Sequence, residues 1–308
     1  MLVGLPLAVR QQAPTVFHAP AYIGPLWGVH PLVLTIHDVS YARHPEWYPY
    51  RRDVLRRLFY RQCAQAADLI ITDSDFSRRE IVAAYGIDPR RIAVIPLGAG
   101  EPFGPADTEA IDGLPFDMRQ PFVVHVGDLH PRRDLGVALE AVLIIRQRRP
   151  AFARLRLVLA GVDRGVGEML QNQAIQSRQP DALLLLGATL NDRQLAAAYR
   201  AACAFVYPSR YEGFGLPLVE AMACGAPVVA ARAAATPEVV GDAGLLVDPG
   251  DAQAFADALE AVLVDSSRAR ELRVAGLKRA AQLVWERTAA ETVAAYRRCI
   301  SASLSRSR

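Results

Sequence analysis

The feature that most constrains this chain is a repeated alternation of short, wholly apolar runs with longer stretches of helical pattern. The runs are PLVLTI (31–36), LIIT (69–72), IAVIP (92–96), FVVHV (122–126), LRLVLAG (155–161), ALLLLG (182–187), AFVYP (204–208), PVVAA (227–231) and GLLVD (244–248), with a weaker one at TVFHAP (15–20). Most are apolar throughout rather than alternating, which is how strands buried on both faces of a parallel sheet read. Helical patterns lie between them, at roughly 51–67, 77–85, 135–149, 191–202, 217–224 and 252–264. Alternating βα units predict an α/β chain with doubly wound parallel sheets.

The segment LGAGEPFGPADTEAIDGLPFDMRQP (97–121) is rich in Gly, Pro and Asp, carries no long apolar run, and reads as a linker. It divides the chain into an N-terminal domain with linker (1–118) and a C-terminal domain (119–284), with helices rather than strands from Asp251 onward and a last helix over 285–308. At 308 residues, 52% of them hydrophobic, the chain has material for two domains of ordinary size. The N-terminal half has three clear strands and the C-terminal half at least five, so the first domain looks short at its start.

Composition excludes several classes. A net charge of +3 is too small for the basic surface of a nucleic-acid binder. Cys63, Cys203, Cys224 and Cys299 are far apart and show no CxxC spacing, so no disulfide framework or zinc site is expected and a reducing, cytoplasmic setting is the default. MLVGLPLAVR lacks the basic leader and cleavage site of a signal peptide. No run reaches the ~20 apolar residues needed to span a bilayer.

The most informative stretch is PSRYEGFGLPLVEAMACG (208–225), which leaves the C-terminal end of the AFVYP run. In open α/β sheets ligands sit beyond those strand ends. Pro217 suits a first helical turn, Gly213 and Gly215 let backbone approach a ligand, and the N–H groups of a helix start favour anions. Glu212 then stands in the loop and Glu220 about one turn into the helix. Two carboxylates so placed can accept hydrogen bonds from the vicinal hydroxyls of a ribose or hexose. The same spacing also fits a plain capping arrangement, with Glu220 paired on the surface.

The stretch resembles the E-x7-E signature of retaining GT-B glycosyltransferases, in particular glycosyltransferase family 4. The likeness extends, in the family's order, through TIHDVSYARHPEWYPYRR (35–52), SDFSRREI (74–81), VIPLGAGEPF (94–103), VGDLHPRRDLGVALEA (126–141), LVLAG (157–161), the run 183–231 and PEVVGDAGLLVDPGD (237–251). The resemblance implies a GT-B fold, two Rossmann-like domains facing a cleft, with the last helix crossing back to the first domain. It implies a retaining, metal-independent transferase that moves a hexose of mannose or glucose type from a nucleoside-diphosphate sugar to a glycan or lipid-linked acceptor. No cofactor is implied beyond that donor substrate.

By the same resemblance Glu220 binds the ribose, while Glu212 and the loop Phe214, Gly215 and Leu216 hold the donor sugar. Gly127, Arg132 and Arg133 belong to the strand–loop–helix turn VGDLHPRRDL, where cations and helix N–H groups suit a diphosphate. The family usually reads Arg-Lys-Asn there; this chain has Arg132-Arg133-Asp134, so Arg133 stands at the lysine position. Asp128 stands where Arg or Thr is common and adds negative charge beside the expected phosphates. The bare residues also fit a solvated loop with unrelated arginines. His37, after the apolar run LVLTI, takes the place of the family's histidine that faces the sugar and leaving phosphate. Asp38 either orients it or caps a turn. His18 also ends a strand, with less to recommend it.

Three further features need weighing. Asp73-Ser74-Asp75 has the D-x-D form of a metal and nucleotide-sugar site, but Ser77 and Glu80 form an S-x-x-E box and Asp75 can also help start that helix, so capping is the preferred reading and no metal is expected. GVDRGVG (161–167) is glycine-rich without GxGxxG order. Arg51, Arg52, Arg56, Arg57 and Arg61 share a helical pattern with Leu55, Leu58, Phe59 and Tyr60. A solvated face is the first reading, and peripheral contact with an anionic membrane at its inner face is the second. The short first domain keeps one alternative open: a non-catalytic nucleotide-sugar-binding chain or partner subunit.

Overall fold

The computed structural model describes residues 4–49, 52–105, 115–117 and 119–306. The central part of the expected linker, the boundary expected at residue 118, and Arg51 at the head of the basic pattern lie outside the described residues. The chain divides into two compact units, one of residues 1–97 with 285–308 and one of residues 98–284.

The first unit holds α1 (Gly4–Gln12), β1 (Phe17–Ala19), β2 (Leu32–Thr35), α2 (Ser40–Arg43), α3 (Val54–Ala66), β3 (Leu69–Thr72), α4 (Asp75–Tyr85), β4 (Ile92–Val94) and the last helix, α12 (Trp285–Arg306). Its strands form a parallel sheet in the order β1-β2-β3-β4. One face, carrying Leu32, Leu34, Ile36, Ile70 and Ile92, packs on Cys63, Ala64, Ile81 and Tyr85 of α3 and α4. The other, with Val33, Leu69 and Ile71, packs on Ala295 and Cys299 of α12. The Tyr296 hydroxyl is 2.7 Å from His18 Nδ1, and His18 Nε2 is 2.8 Å from Thr35 Oγ1, so His18 fastens α12 to the sheet.

The second unit holds β5 (Phe122–Val126), α5 (Leu135–Arg148), β6 (Arg156–Ala160), α6 (Gly167–Gln176), β7 (Leu183–Gly187), α7 (Asp192–Ala201), β8 (Ala204–Tyr207), α8 (Leu216–Ala223), β9 (Val228–Ala231), α9 (Thr236–Val240), β10 (Gly244–Val247), α10 (Ala252–Val264) and α11 (Ser266–Ala280). All pairings are parallel, in the order β10-β9-β8-β5-β6-β7. α5, α6 and α10 cover Val123, Leu157, Leu159, Val206 and Val229 on one face, and α8 lies against β8 and β9. The chain starts at β5, builds outward to β7, then returns to the far side of β5 with β8. The strand order therefore reverses between β5 and β8, and the two loops that diverge there open a crevice.

Local signals set several helix ends. Asn191 and Gln194 form a capping box at α7, and Asp251 caps α10. α4 begins earlier than the S-x-x-E box predicts. Its cap is Ser74, whose Oγ accepts from Ser77 N–H at 3.0 Å. Ser77 is buried inside the helix and donates its hydroxyl to His37 O, while Glu80 pairs with Arg43. The GVDRGVG loop is likewise a cap: Asp163 Oδ1 accepts the N–H groups of Gly165, Val166 and Gly167 at the start of α6, which holds its carboxyl below the usual range.

Candidate functional site

The loop leaving β5 is held open by its own pairing. Gly127 N–H donates to Ala160 O and Leu129 N–H to Val162 O, so the strand edge continues past β6. Gly127 has φ +130°, and a Cβ there would press on the Arg133 guanidinium at 3.0–3.2 Å. The glycine thus lets the Arg133 side chain fold back under the loop.

Arg133 is 7% exposed and Glu212, in the loop leaving β8, is 5% exposed. Arg133 Nη1 stands 3.1 Å from Glu212 Oε1, and Arg132 Nη2 stands 3.7 Å from Glu212 Oε2. Arg210 N–H donates to Arg132 O and Arg210 Nε to Asp134 Oδ2 at 2.7 Å, a second tie between the loops. Two guanidinium groups against one carboxylate leave net positive charge at the crevice. Asp128 subtracts little from it, because Arg164 Nε lies 2.9 Å from Asp128 Oδ2.

Gly215 precedes α8 with φ +94°, and a Cβ would meet Leu218 at 2.9 Å and Tyr207 at 3.5 Å. Only glycine lets the loop turn this close to the sheet. Phe214 is buried, so its side chain anchors the loop and leaves its backbone for a ligand. Leu216 opens α8 with Pro217 in its first turn. Glu212 O also accepts from Ala235 N–H, joining this loop to the one after β9. Several buried polar atoms here have no hydrogen-bond partner among the described residues: Arg133 Nε, Ser209 Oγ and Thr236 Oγ1. Such atoms are rare in protein interiors and suit a polar ligand.

Glu220 lies in α8, mostly buried, and accepts a hydrogen bond from Tyr199 at 3.1 Å. Burial pushes its carboxyl up to about 7, against the opposing pull of the Tyr199 bond. The two glutamates share a floor of rings. Arg133 Nη1 donates to the Tyr207 hydroxyl, Tyr207 lies 5.5 Å from Phe205, and Phe205 meets Tyr199 edge-on at 5.4 Å. His125 stacks on Tyr207 at 5.4 Å, and burial followed by the Arg133 charge drives it down to about 3, so it is neutral near pH 7. Tyr199, Tyr207 and His125 were not singled out by sequence. The period-two spacing of Phe205 and Tyr207 in β8 was the available signal.

His37 belongs to the first unit and follows β2. Its Nδ1 is 2.8 Å from Oδ2 of Asp73, which directly follows β3 and is buried. Strand pairing sets this contact, since Thr35 lies opposite Ile71 and two further residues along each strand give His37 and Asp73. Asp38 Oδ1 accepts from Ser40 N–H and Oγ, which closes the turn that leads into α2. The Asp73 hydrogen bond raises the His37 pKa despite burial, and the half-exposed ring presents Nε2 away from Asp73. With Asp73 on His37 and Asp75 on Arg78, the two ends of the D-x-D serve different partners. Among the described residues no cluster of His, Cys, Asp or Glu gathers to hold a metal ion.

Both units match known family models, residues 2–99 to Glycosyltransferase Family 4 and residues 120–265 to Glycosyl transferases group 1. O-antigen chain mannosyltransferase B of Escherichia coli is 32% identical over 94% of this chain and 76% of its own length. The chain belongs to glycosyltransferase family 4. It is thus an enzyme of the glycosyltransferase class with a GT-B fold. Among other relatives, D-inositol 3-phosphate glycosyltransferase of Pseudarthrobacter chlorophenolicus is 33% identical, and the chain spans 66% of that protein's length. Sucrose-phosphate synthase from Thermosynechococcus elongatus shares the fold with a TM-score of 0.76 at 22% identity, covering 96% of this chain and 76% of that one. Among the described residues no helix of this family member is long and apolar enough to cross a membrane.

Proposed function

We propose that this family 4 chain is a retaining, metal-independent hexosyltransferase that uses a nucleoside-diphosphate sugar of mannose or glucose type and a glycan or lipid-linked acceptor. The observation that carries the proposal is the meeting of Arg132 and Arg133 with Glu212 where the strand order of the second sheet reverses. That crevice is where an α/β sheet binds a nucleotide, and its excess positive charge suits a diphosphate. Glu220 takes the ribose hydroxyls, and Glu212 with the loop Phe214–Leu216 takes those of the sugar.

In the reaction the bond from the sugar's C1 to the diphosphate oxygen breaks, and a bond from C1 to the acceptor oxygen forms on the same face. The acceptor's proton passes to the departing phosphate oxygen, so no protein nucleophile is required. Arg132, Arg133 and the first N–H groups of α8 stabilise charge as it develops on the leaving group, a contribution that usually dominates such catalysis. His37, held by Asp73, positions the sugar through Nε2. A panel of nucleoside-diphosphate sugars, scored for binding, hydrolysis and transfer, tests the proposal. Turnover with one donor supports it, and binding with no turnover on any candidate acceptor contradicts it in favour of a non-catalytic nucleotide-sugar-binding chain.

A further inference from the structure

α3 carries apolar residues on both sides: Phe59, Cys63 and Ala64 pack toward the sheet, while Val54, Leu55 and Leu58 face outward. At 3.6 residues per turn Val54, Leu55 and Leu58 share an arc of about 100°. Their exposures are 52%, 78% and 47%. On the opposite side of the helix, only Cys63 and Ala64 are buried, and both belong to its last turns. Arg57 and Arg61 flank the exposed arc on the side of Val54, and Arg52 precedes the helix. Solvated helices place charge, not leucine, at such positions. Contiguous exposed apolar side chains rimmed by polar groups mark a contact surface.

Charge indicates what that surface meets. The first unit's stretches, 1–97 and 285–308, contain sixteen arginines and ten acidic residues, a net charge of +6. Residues 98–284 carry nineteen basic and twenty-two acidic residues, a net charge of −3, so the modest total hides a strong asymmetry. We propose that the outward face of α3 is a docking surface for anionic lipid, with Val54, Leu55 and Leu58 entering the headgroup layer and Arg52, Arg57 and Arg61 meeting its charge. Aliphatic insertion combined with basic flanks is the chemistry by which an interfacial helix holds such a surface.

The docking claim stands apart from the transfer reaction. Taken with it, the same helix connects to the candidate histidine: Tyr60 of α3 stacks on Tyr22 at 5.9 Å, and Tyr22 meets His37 edge-on at 6.4 Å.

Co-sedimentation of the full chain with phosphatidylcholine vesicles, with and without phosphatidylglycerol, tests the proposal. Partition is expected to rise about ten-fold or more with phosphatidylglycerol and to fall with salt. Leu55→Glu with Leu58→Glu, and separately Arg57→Glu with Arg61→Glu, should each abolish that gain with an unchanged thermal melt. Arg78→Glu with Arg79→Glu on α4 makes the same charge change elsewhere and should retain most of it. Equal binding to both vesicle types, no binding to either, α3 variants that bind like the parent, or an α4 variant that loses as much would each overturn the proposal. So would light scattering that shows a dimer lost in the leucine variant, since a second copy would then occupy the face.

Discussion

Glu212 and Arg133 face each other at 3.1 Å between the loops that leave β8 and β5, and both are buried. The pair joins the two strands at which the sheet order reverses, so it is both a structural tie and the charge centre of the crevice. Removing one member leaves the other buried without its counter-charge. Glu212→Ala is expected to cost about 3–5 kcal/mol of folding stability, read as a lower urea midpoint at unchanged slope. A midpoint equal to the parent's would show that the pair holds nothing together.

Glu220 offers a pH signature. Its carboxyl titrates at about 7 in the fold against the ordinary 4.5, chiefly because of burial. A raised carboxyl pKa means that the folded state keeps a proton the unfolded state has released. Its contribution to stability is therefore full below about 4.5 and is lost as pH rises through about 7. Urea midpoints of the free protein should fall over that window, and Glu220→Gln should flatten the fall. Nucleotide affinity should move oppositely in the parent, because the carboxylate is the better acceptor for ribose hydroxyls. Glu220→Ala with unchanged nucleotide affinity would remove the ribose assignment.

His37 and Asp73 are predicted to act on transfer more than on binding. His37→Ala should lower kcat by about 10- to 100-fold while nucleotide affinity changes by less than about three-fold. Asp73→Asn exchanges the charged acceptor of the hydrogen bond that raises the His37 pKa for a neutral, weaker one. Any pH-rate limb assigned to His37 should then shift to lower pH. A limb that stays in place would show that the limb does not report His37 or that Asp73 does not tune it.

Gly161 tests the frame beneath the loop after β5, which is proposed to hold the diphosphate. A Cβ at this position would lie 2.0 Å from Gly127 O, backbone against backbone, so the loop after β5 must move. Gly161→Ala is expected to lose about 1–3 kcal/mol and to weaken nucleotide binding in the same variant. Thermal melts and binding isotherms on one preparation check both. Full nucleotide affinity in the variant would show that the loop's position does not matter to the ligand.

What sequence could and could not show follows from physical distance. Most of the nine clear strands were legible because burial on both faces makes the run apolar throughout, as in AFVY and VVAA. α6 was missed because its outward side carries Met169 and Ile175 beside glutamines, which blurs the helical period. The start of α4 was misplaced because Ser77 and Glu80 match a capping pattern, whereas Ser74 caps the helix and the Ser77 hydroxyl goes to His37 O. Glu212, Glu220 and the arginines stood out because spacing along the chain carries them. Tyr199 beneath Glu220, Tyr207 beneath Arg133 and Asp73 beside His37 depend on which strands and helices become neighbours, and local spacing says nothing of that.

The most direct measurement of the central claim is amide hydrogen exchange with and without a nucleoside diphosphate, using guanosine and uridine forms in parallel. The account predicts that one of them slows exchange in 127–135 and 209–220 together, the loops that carry Arg132, Arg133, Glu212 and Glu220. Protection confined to other segments, or absent with every nucleotide at saturating concentration, would contradict it.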